Sequence, residues 1–410
     1  MAAILGVLGP GLVSGFADND AGGISTYSVA GVKFGYDLLW VLLASQIVLF
    51  FTQEVGARLG LATGQGLAGL VREKYGVRWV AFMISAMLVA NVGSIVAEFA
   101  GCGAALGLFG VPTWISALLA SIVVVLLLTR GSYRRVQYLF VAVGIGVSLA
   151  YFASALLAHP DWGHAAQSLV VPHLASSPVY WITVVATVGT TITPWGQAFI
   201  QSYVADKRLG PEDLVGERLD VGLGALLTNL IGGFIVIACA AAVYSVGTQI
   251  DTSSPDAVQK IAGALTPLAG SGATVLFAVG LLAASFLGLG VVPLTSAYAA
   301  CEAFGWETGV DWRLREAPAF YGLMIFFVAF AAVFILLVPA GMLVQVMFTA
   351  QVVNCLLLPF VLVFVMRLSA DKQLMGPLVS GRILQAIGWA GTALLVVLSL
   401  TLVASSFFGG

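Results

Sequence analysis

Apolar residues run along this chain in long blocks, separated by short polar stretches. A helix needs about 20 consecutive apolar residues to cross the hydrocarbon core of a bilayer. Eleven segments meet that criterion, at roughly 4–31, 38–59, 79–108, 112–129, 136–158, 178–203, 219–246, 272–302, 318–338, 340–366 and 383–407. The first is interrupted by Ala17-Asp18-Asn19-Asp20-Ala21-Gly22-Gly23, which places two carboxylates and two glycines inside an apolar run. A charge at the centre of a membrane helix costs at least about 2.5 kcal/mol, so such a pair marks a functional site. Glycine lowers helix propensity by about 1 kcal/mol, and Asn and Asp compete for the backbone with their own side chains. The segment is therefore expected to unwind, and unwound backbone at membrane depth persists only where it is buried in protein or lines a wet cavity.

The sixth segment carries a second interruption, Gly189-Thr190-Thr191-Ile192-Thr193-Pro194-Trp195-Gly196-Gln197. Proline removes a backbone donor, and the glycines and threonines weaken the helix around it. Segments 1 and 6 open the two halves of a five-plus-five arrangement, and interrupted segments at corresponding places in two halves point to a transporter binding site. An odd number of helices per half turns the halves over relative to one another. The expected organisation is one domain over 1–410: a first repeat over about 1–158, an inverted second repeat over about 178–368, and an extra helix at about 383–407.

Composition agrees with the pattern. Hydrophobic residues make up 60% of the 410 and charged residues only 9%, with a mean hydropathy of +1.04. This describes an all-α integral membrane protein and excludes a soluble one. The 17 basic residues test the span count. Arg58, Arg72, Lys74, Arg78, Arg130, Arg134, Arg135, Lys207, Arg208, Arg218, Arg313, Arg315, Arg367, Lys372 and Arg382 fall on one side, while Lys33 and Lys260 fall on the other. With eleven spans, the positive-inside rule puts the N-terminus in the cytoplasm and the C-terminus outside. No basic stripe exists to bind nucleic acid. Cys102, Cys239, Cys301 and Cys355 all lie in apolar runs and are read as packing residues. The loop with His159, His164 and His173 is read as solvated, and Leu67 to Tyr75 as a short amphipathic surface helix.

Several blocks, in order, carry a family resemblance: Gly9-Pro10-Gly11, Ala30-Gly31-Val32-Lys33-Phe34-Gly35-Tyr36-Asp37, Leu59-Gly60-Leu61-Ala62-Thr63-Gly64, Ala97-Glu98-Phe99, Ala350-Gln351-Val352-Val353-Asn354 and Lys372-Gln373-Leu374-Met375-Gly376. The chain resembles the Nramp family of divalent-metal transporters. That resemblance implies a LeuT-type fold with metal held between spans 1 and 6, both unwound at the midplane. The family's Asp-Pro-Gly-Asn signature falls on Asp20-Ala21-Gly22-Gly23, and its Met-Pro-His on Thr193-Pro194-Trp195. The departures thus gather at the site itself, in a pattern similar to the Nramp-related magnesium transporters.

A thioether favours softer transition metals, so Thr193 in its place removes a ligand that would select Mn²⁺ or Fe²⁺. The expected donors are all oxygen: Asp20, Thr193, Thr190, carbonyls at the breaks and the Gln351 amide. Asp18 and Asn19 either join them or neutralise the cation from the edge, and Gly23 leaves room. Mg²⁺ dehydrates reluctantly and keeps several waters, which suits a roomy oxygen site. The expectation is transport of partly hydrated Mg²⁺, with Mn²⁺ accepted and Ca²⁺ disfavoured. The family histidine is Trp195 here, and the aspartate usually three residues before Glu98 is Ile95, so uncoupled transport is expected.

Glu98 itself either lines a pathway or bonds neighbouring helices; Glu54, Asp220 and Glu302 are read as interfacial. Rival readings are a proton-coupled Mn²⁺/Fe²⁺ carrier of the same family and an amino-acid carrier of the same fold, whose carboxylate Asp18 and Asp20 would repel. Catalysis is not expected, since no His-Glu-x-x-His pattern or histidine within a span is present. The ion is substrate rather than cofactor, the lipid bilayer is the expected partner, no obligate protein partner is inferred, and a bacterial plasma membrane is the expected location.

Overall fold

A computed structural model of the chain describes residues 9–130, 133–245, 247, 251, 254, 257–309, 312 and 314–408. The start of the first apolar run at 4–8, most of the stretch 246–256 after the expected seventh segment, and Arg313 lie outside the described residues.

Among the described residues the structure is helical throughout. The first expected span is two helices, α1 (Pro10–Ala17) and α2 (Ala21–Phe34), separated by residues 18–20. α3 (Leu39–Thr63) leads through the short α4 (Leu67–Tyr75) into α5 (Val77–Gly107), α6 (Thr113–Arg130) and α7 (Tyr133–Leu157). The histidine-containing loop folds a further helix, α8 (Trp162–Val170), too short to register as a span; Asp161 caps it by accepting from His164 N at 2.9 Å. The sixth span is again a pair, α9 (Pro178–Thr191) and α10 (Pro194–Asp206). α11 (Leu214–Cys239), α12 (Ala273–Phe304), α13 (Pro318–Ile335), α14 (Leu343–Ser369) and α15 (Arg382–Phe408) complete the bundle. A helix or a broken pair stands at each expected segment, and among the described residues seven helices are by themselves long and apolar enough to cross a membrane.

The long α5 is the central post, packed on α12 and α14, while α11 packs on α1 and α3, and α14 on α9. Glycines set the closest approaches. A side chain on Gly224 would strike the Gly11 carbonyl, and one on Gly189 would strike the backbone of Gln351 and Cys355. The backbones of α1 and α11, and of α9 and α14, therefore touch directly. Close backbone approach through small residues is how helices associate where lipid removes a hydrophobic drive between them.

Carboxylates read as interfacial from sequence prove to be buried and bonded. Asp220 on α11 accepts from the backbone N–H groups of Gly9, Gly11 and Leu12, at 3.1, 2.6 and 3.3 Å, and so holds the free N-terminal donors of α1. Glu54 Oε1 accepts from Arg58 Nε at 2.6 Å and from Arg218 Nε and Nη2 at 3.1 and 2.9 Å, tying α3 to α11. By contrast the Lys74–Asp371 pair, at 2.5 Å, is surface-exposed. Lys74 draws the Asp371 carboxyl below its usual range and is itself pushed up by it, but solvent screens the pair.

Removing Glu54 strands the buried Arg58 guanidinium, and an uncompensated buried charge costs about 3–5 kcal/mol. Glu54→Ala is expected to destabilise the protein by about 3 kcal/mol, read as a lowered midpoint of thermal unfolding in detergent. An unchanged midpoint would show that the triad contributes nothing.

Candidate metal site

Each helix break is capped by its own side chain. Asp20 precedes α2, and its Oδ1 accepts from Gly23 N at 2.7 Å. Thr193 precedes α10, and its hydroxyl accepts from Gly196 N at 3.1 Å. Pro194 occupies the first position of α10, where its missing N–H would have no helical partner in any case. It starts a new helix rather than bending an old one. The two breaks then meet: Thr193 Oγ1 donates to Asp18 Oδ1 at 3.4 Å.

The position of Gly23 shows how the oxygens are placed. A methyl group there would lie 2.8 Å from the Asp18 carbonyl oxygen, 3.3 Å from Thr190 Oγ1 and 3.5 Å from Asp20 Oδ1. A carbonyl, a hydroxyl and a carboxylate from both breaks thus converge on one point, open because residue 23 is glycine. Asp18, Asp20, Thr190, Thr193 and Gln351 are all buried, with at most 2% of their surface exposed. Asp18 Oδ2, Thr190 Oγ1 and Gln351 Nε2 have no hydrogen-bond partner. Buried polar atoms left alone are rare and cost about 1–3 kcal/mol each, so their gathering here needs a reason.

Gln351 reaches the site from α14, where a side chain on Gly22 would overlap its amide nitrogen. Its Oε1 accepts from Asn354 Nδ2 at 2.8 Å. A half-turn of the amide, matched by one of Asn354 so that its Oδ1 accepts from Gln351, brings the oxygen to the break in place of the nitrogen. Asn19 is placed elsewhere: its Nδ2 donates to Gly15 O at 3.2 Å, and it lines a small cavity with Phe16, Tyr151 and Ile231. None of those residues belongs to the second break.

Glu98, left open between two roles by sequence, stands at the site. Its Oε2 accepts from Ala21 N at 3.3 Å, at the start of α2 and directly after Asp20. Gln53 and Gln197 were not singled out, although a glutamine within an apolar span is itself a signal. Both are buried; Gln53 Nε2 donates to Ser14 Oγ at 3.2 Å, and neither amide atom of Gln197 has a partner. Among the described residues no three His, Cys, Asp or Glu side chains form a metal-holding group. Two aspartates with hydroxyl, carbonyl and amide oxygens are what the breaks offer.

Solved structures give the fold. A manganese transporter of Eremococcus coleocola, in complex with an aromatic bis-isothiourea substituted compound, superposes with a TM-score of 0.79 at 21% identity over 98% of this chain and 88% of its own. MhsT in complex with L-phenylalanine gives 0.67 at 15% identity over 97% and 98%. The fold is the LeuT-type fold of membrane transporters. The sequence profile described as natural resistance-associated macrophage protein-like, Nramp, matches residues 11–405, and the chain belongs to that family. A relative from Ralstonia nicotianae, the divalent metal cation transporter MntH, is 30% identical over 98% of this chain and 91% of its own.

The cap geometry can be tested without any ion. Thr193→Val keeps the shape but removes the acceptor for Gly196 N, and losing a threonine cap costs about 1–2 kcal/mol. The expected result is a lowered unfolding midpoint in metal-free buffer; wild-type stability would mean that the cap is dispensable.

Proposed function

We propose that the chain is a divalent-metal transporter that carries partly hydrated Mg²⁺ into the cytoplasm, accepts Mn²⁺, and moves no proton with it. The observation that carries this reading is the convergence of three buried oxygens, the Asp18 carbonyl, the Thr190 hydroxyl and the Asp20 carboxylate, on the point beside Gly23. Membership of the Nramp family supports a divalent metal as cargo. Asp20 supplies the central carboxylate, with the Asp18 carbonyl, the Thr190 and Thr193 hydroxyls and the turned Gln351 amide around it. The Asp18 carboxylate, bonded to Thr193, neutralises the ion from the edge. Asn19 holds the turn through Gly15 and stays outside the shell.

The metal preference follows from the donor types. Neither break carries a thioether or imidazole to favour a softer ion, and a hard site with few protein charges suits an ion that keeps its waters. An oxygen site does not exclude Mn²⁺. With the N-terminus in the cytoplasm of a bacterium, the membrane potential alone drives entry. A divalent cation gains about 4.6 kcal/mol for roughly 100 mV, enough for accumulation of roughly a thousandfold.

One observation favours a second reading, a proton-coupled Mn²⁺ carrier. Glu98 accepts from Ala21 N directly beside Asp20, and where two carboxyls occupy one site a proton held there is displaced by an arriving cation. Against it, all three histidines, at 159, 164 and 173, lie in one loop.

Transport into proteoliposomes decides between the readings. Wild-type protein is expected to take up Mg²⁺ with no acidification of the lumen, and Asp20→Ala to lose more than about tenfold of that flux. Lumen acidification in step with uptake would establish coupling, and retained flux in Asp20→Ala would remove Asp20 from the ligand set. Thr193→Met is expected to raise the Mn²⁺ over Mg²⁺ preference about tenfold. An unchanged ratio would show that the residue at 193 does not set selectivity.

A further inference from the structure

α3, α9 and α15 part beside one another to leave an apolar cavity of about 370 Å³ that the metal site does not use. One end is closed at Gly391, where a side chain would meet Val48 Cγ1 at 2.7 Å, so that α15 and α3 touch there. From that contact the walls run along α15 to Thr401, along α3 back to Trp40, and from Ile192 back along α9 to Trp181. At about 1.5 Å per helical residue these stretches are about 12–16 Å long. That is the depth of one leaflet in a hydrocarbon core of about 30 Å.

The two ends differ chemically. Trp40 and Trp181 stand together at the far end, where Trp40 Nε1 donates to Tyr180 Oη at 3.1 Å and Tyr180 Oη donates to the His173 carbonyl. Indoles and tyrosines grouped with polar loop residues mark the boundary between hydrocarbon and water. Between the ends the walls are aliphatic apart from Ser45, and the Thr401 hydroxyl is already committed to Val397 O at 2.8 Å. Leu394 and Val397, on the rim, are 52% and 58% exposed, so the cavity opens sideways through α15. In a membrane-spanning bundle that side faces lipid tails. A dry apolar cavity holds no water and deprives its walls of contacts, so apolar matter at its mouth enters it.

We infer that this cavity binds one lipid acyl chain, with the head group at the Trp40 and Trp181 end and the tail against Val188 and Ile192. Ile192 lies in the linker between α9 and α10, next to Thr193. The bound chain therefore touches the segment that carries the second break, and the bilayer gains a hold on the site.

Native mass spectrometry with palmitoyl-oleoyl phosphatidylglycerol as probe tests this. As detergent strips the annular lipid, wild-type protein is expected to retain one phospholipid. Ala44→Trp and Leu398→Trp fill the cavity from α3 and from α15, and each is expected to lower the retained fraction at least about tenfold. A wild type that loses its last lipid together with the annular ones overturns the inference, as does full retention by both folded variants. Wild-type protein in nanodiscs of dibrominated phosphatidylglycerol tests it with no variant. Bromine signal beside Leu398 is expected, and a cavity without bromine overturns the assignment.

Discussion

Interrupting a helix inside an apolar bundle frees backbone N–H and C=O groups that no water can reach, and every one of them must find a partner. Two such interruptions face each other here, and the rest of the structure is arranged around satisfying them. Asp20 and Thr193 cap the helices that restart, Glu98 takes the N–H of Ala21, and Asp18 joins the two breaks through Thr193. A carboxylate or hydroxyl that accepts one backbone donor still has lone pairs to offer. The groups that make the breaks tolerable are thus the same groups that can hold a cation, which is why structural and functional roles fall on the same residues.

Holding both breaks and α14 at one point demands close backbone approach. Gly189 lets α9 lie against Gln351 and Cys355, Gly22 makes space for the Gln351 amide, and Gly23 keeps the meeting point open. Each glycine costs helix stability, about 1 kcal/mol against alanine in a helix interior. They stand where that cost is smallest, at or near helix ends already lacking full hydrogen bonding. Tyr27 Oη and Thr191 Oγ1, 2.9 Å apart, add a further tie between α2 and the last turn of α9.

The two breaks and their capping residues were legible in the sequence because charge, glycine and proline inside an apolar run have few other meanings. What each neighbouring residue faces was not legible. Residues 18–20 form a non-helical linker, where the 3.6-residue period gives no direction, and Asp18 and Asn19 turn to different neighbours. Carboxylates at span ends were read as interfacial because their partners are remote. Asp220 bonds residues 209 and 211 positions away, and Glu54 bonds an arginine 164 positions away. Only packing brings those groups together. The helix α8 escaped for another reason: at nine residues it falls far short of the apolar length that marks a span.

Those remote bonds give the bundle unequal ends. Arg218 and Asp220 lie two residues apart on α11, one reaching Glu54 on α3 and the other the N-terminus of α1. A helix N-terminus carries partial positive charge, so the three bonds to Asp220 are both charge-assisted and aligned with the dipole of α1. Moving that end of α1 away from α11 breaks all three at once and leaves a buried carboxylate unpaired. Past the breaks, α2 is tied to α9 by the neutral Tyr27–Thr191 bond, and α3 to α9 by Trp40 Nε1 donating to Tyr180 Oη at 3.1 Å. Neutral hydrogen bonds are roughly half as strong as charge-assisted ones. The N-terminal end of α1 is thus held by charge-assisted bonds, and Asp220, which makes them, belongs to α11, a helix that contributes no oxygen to the site.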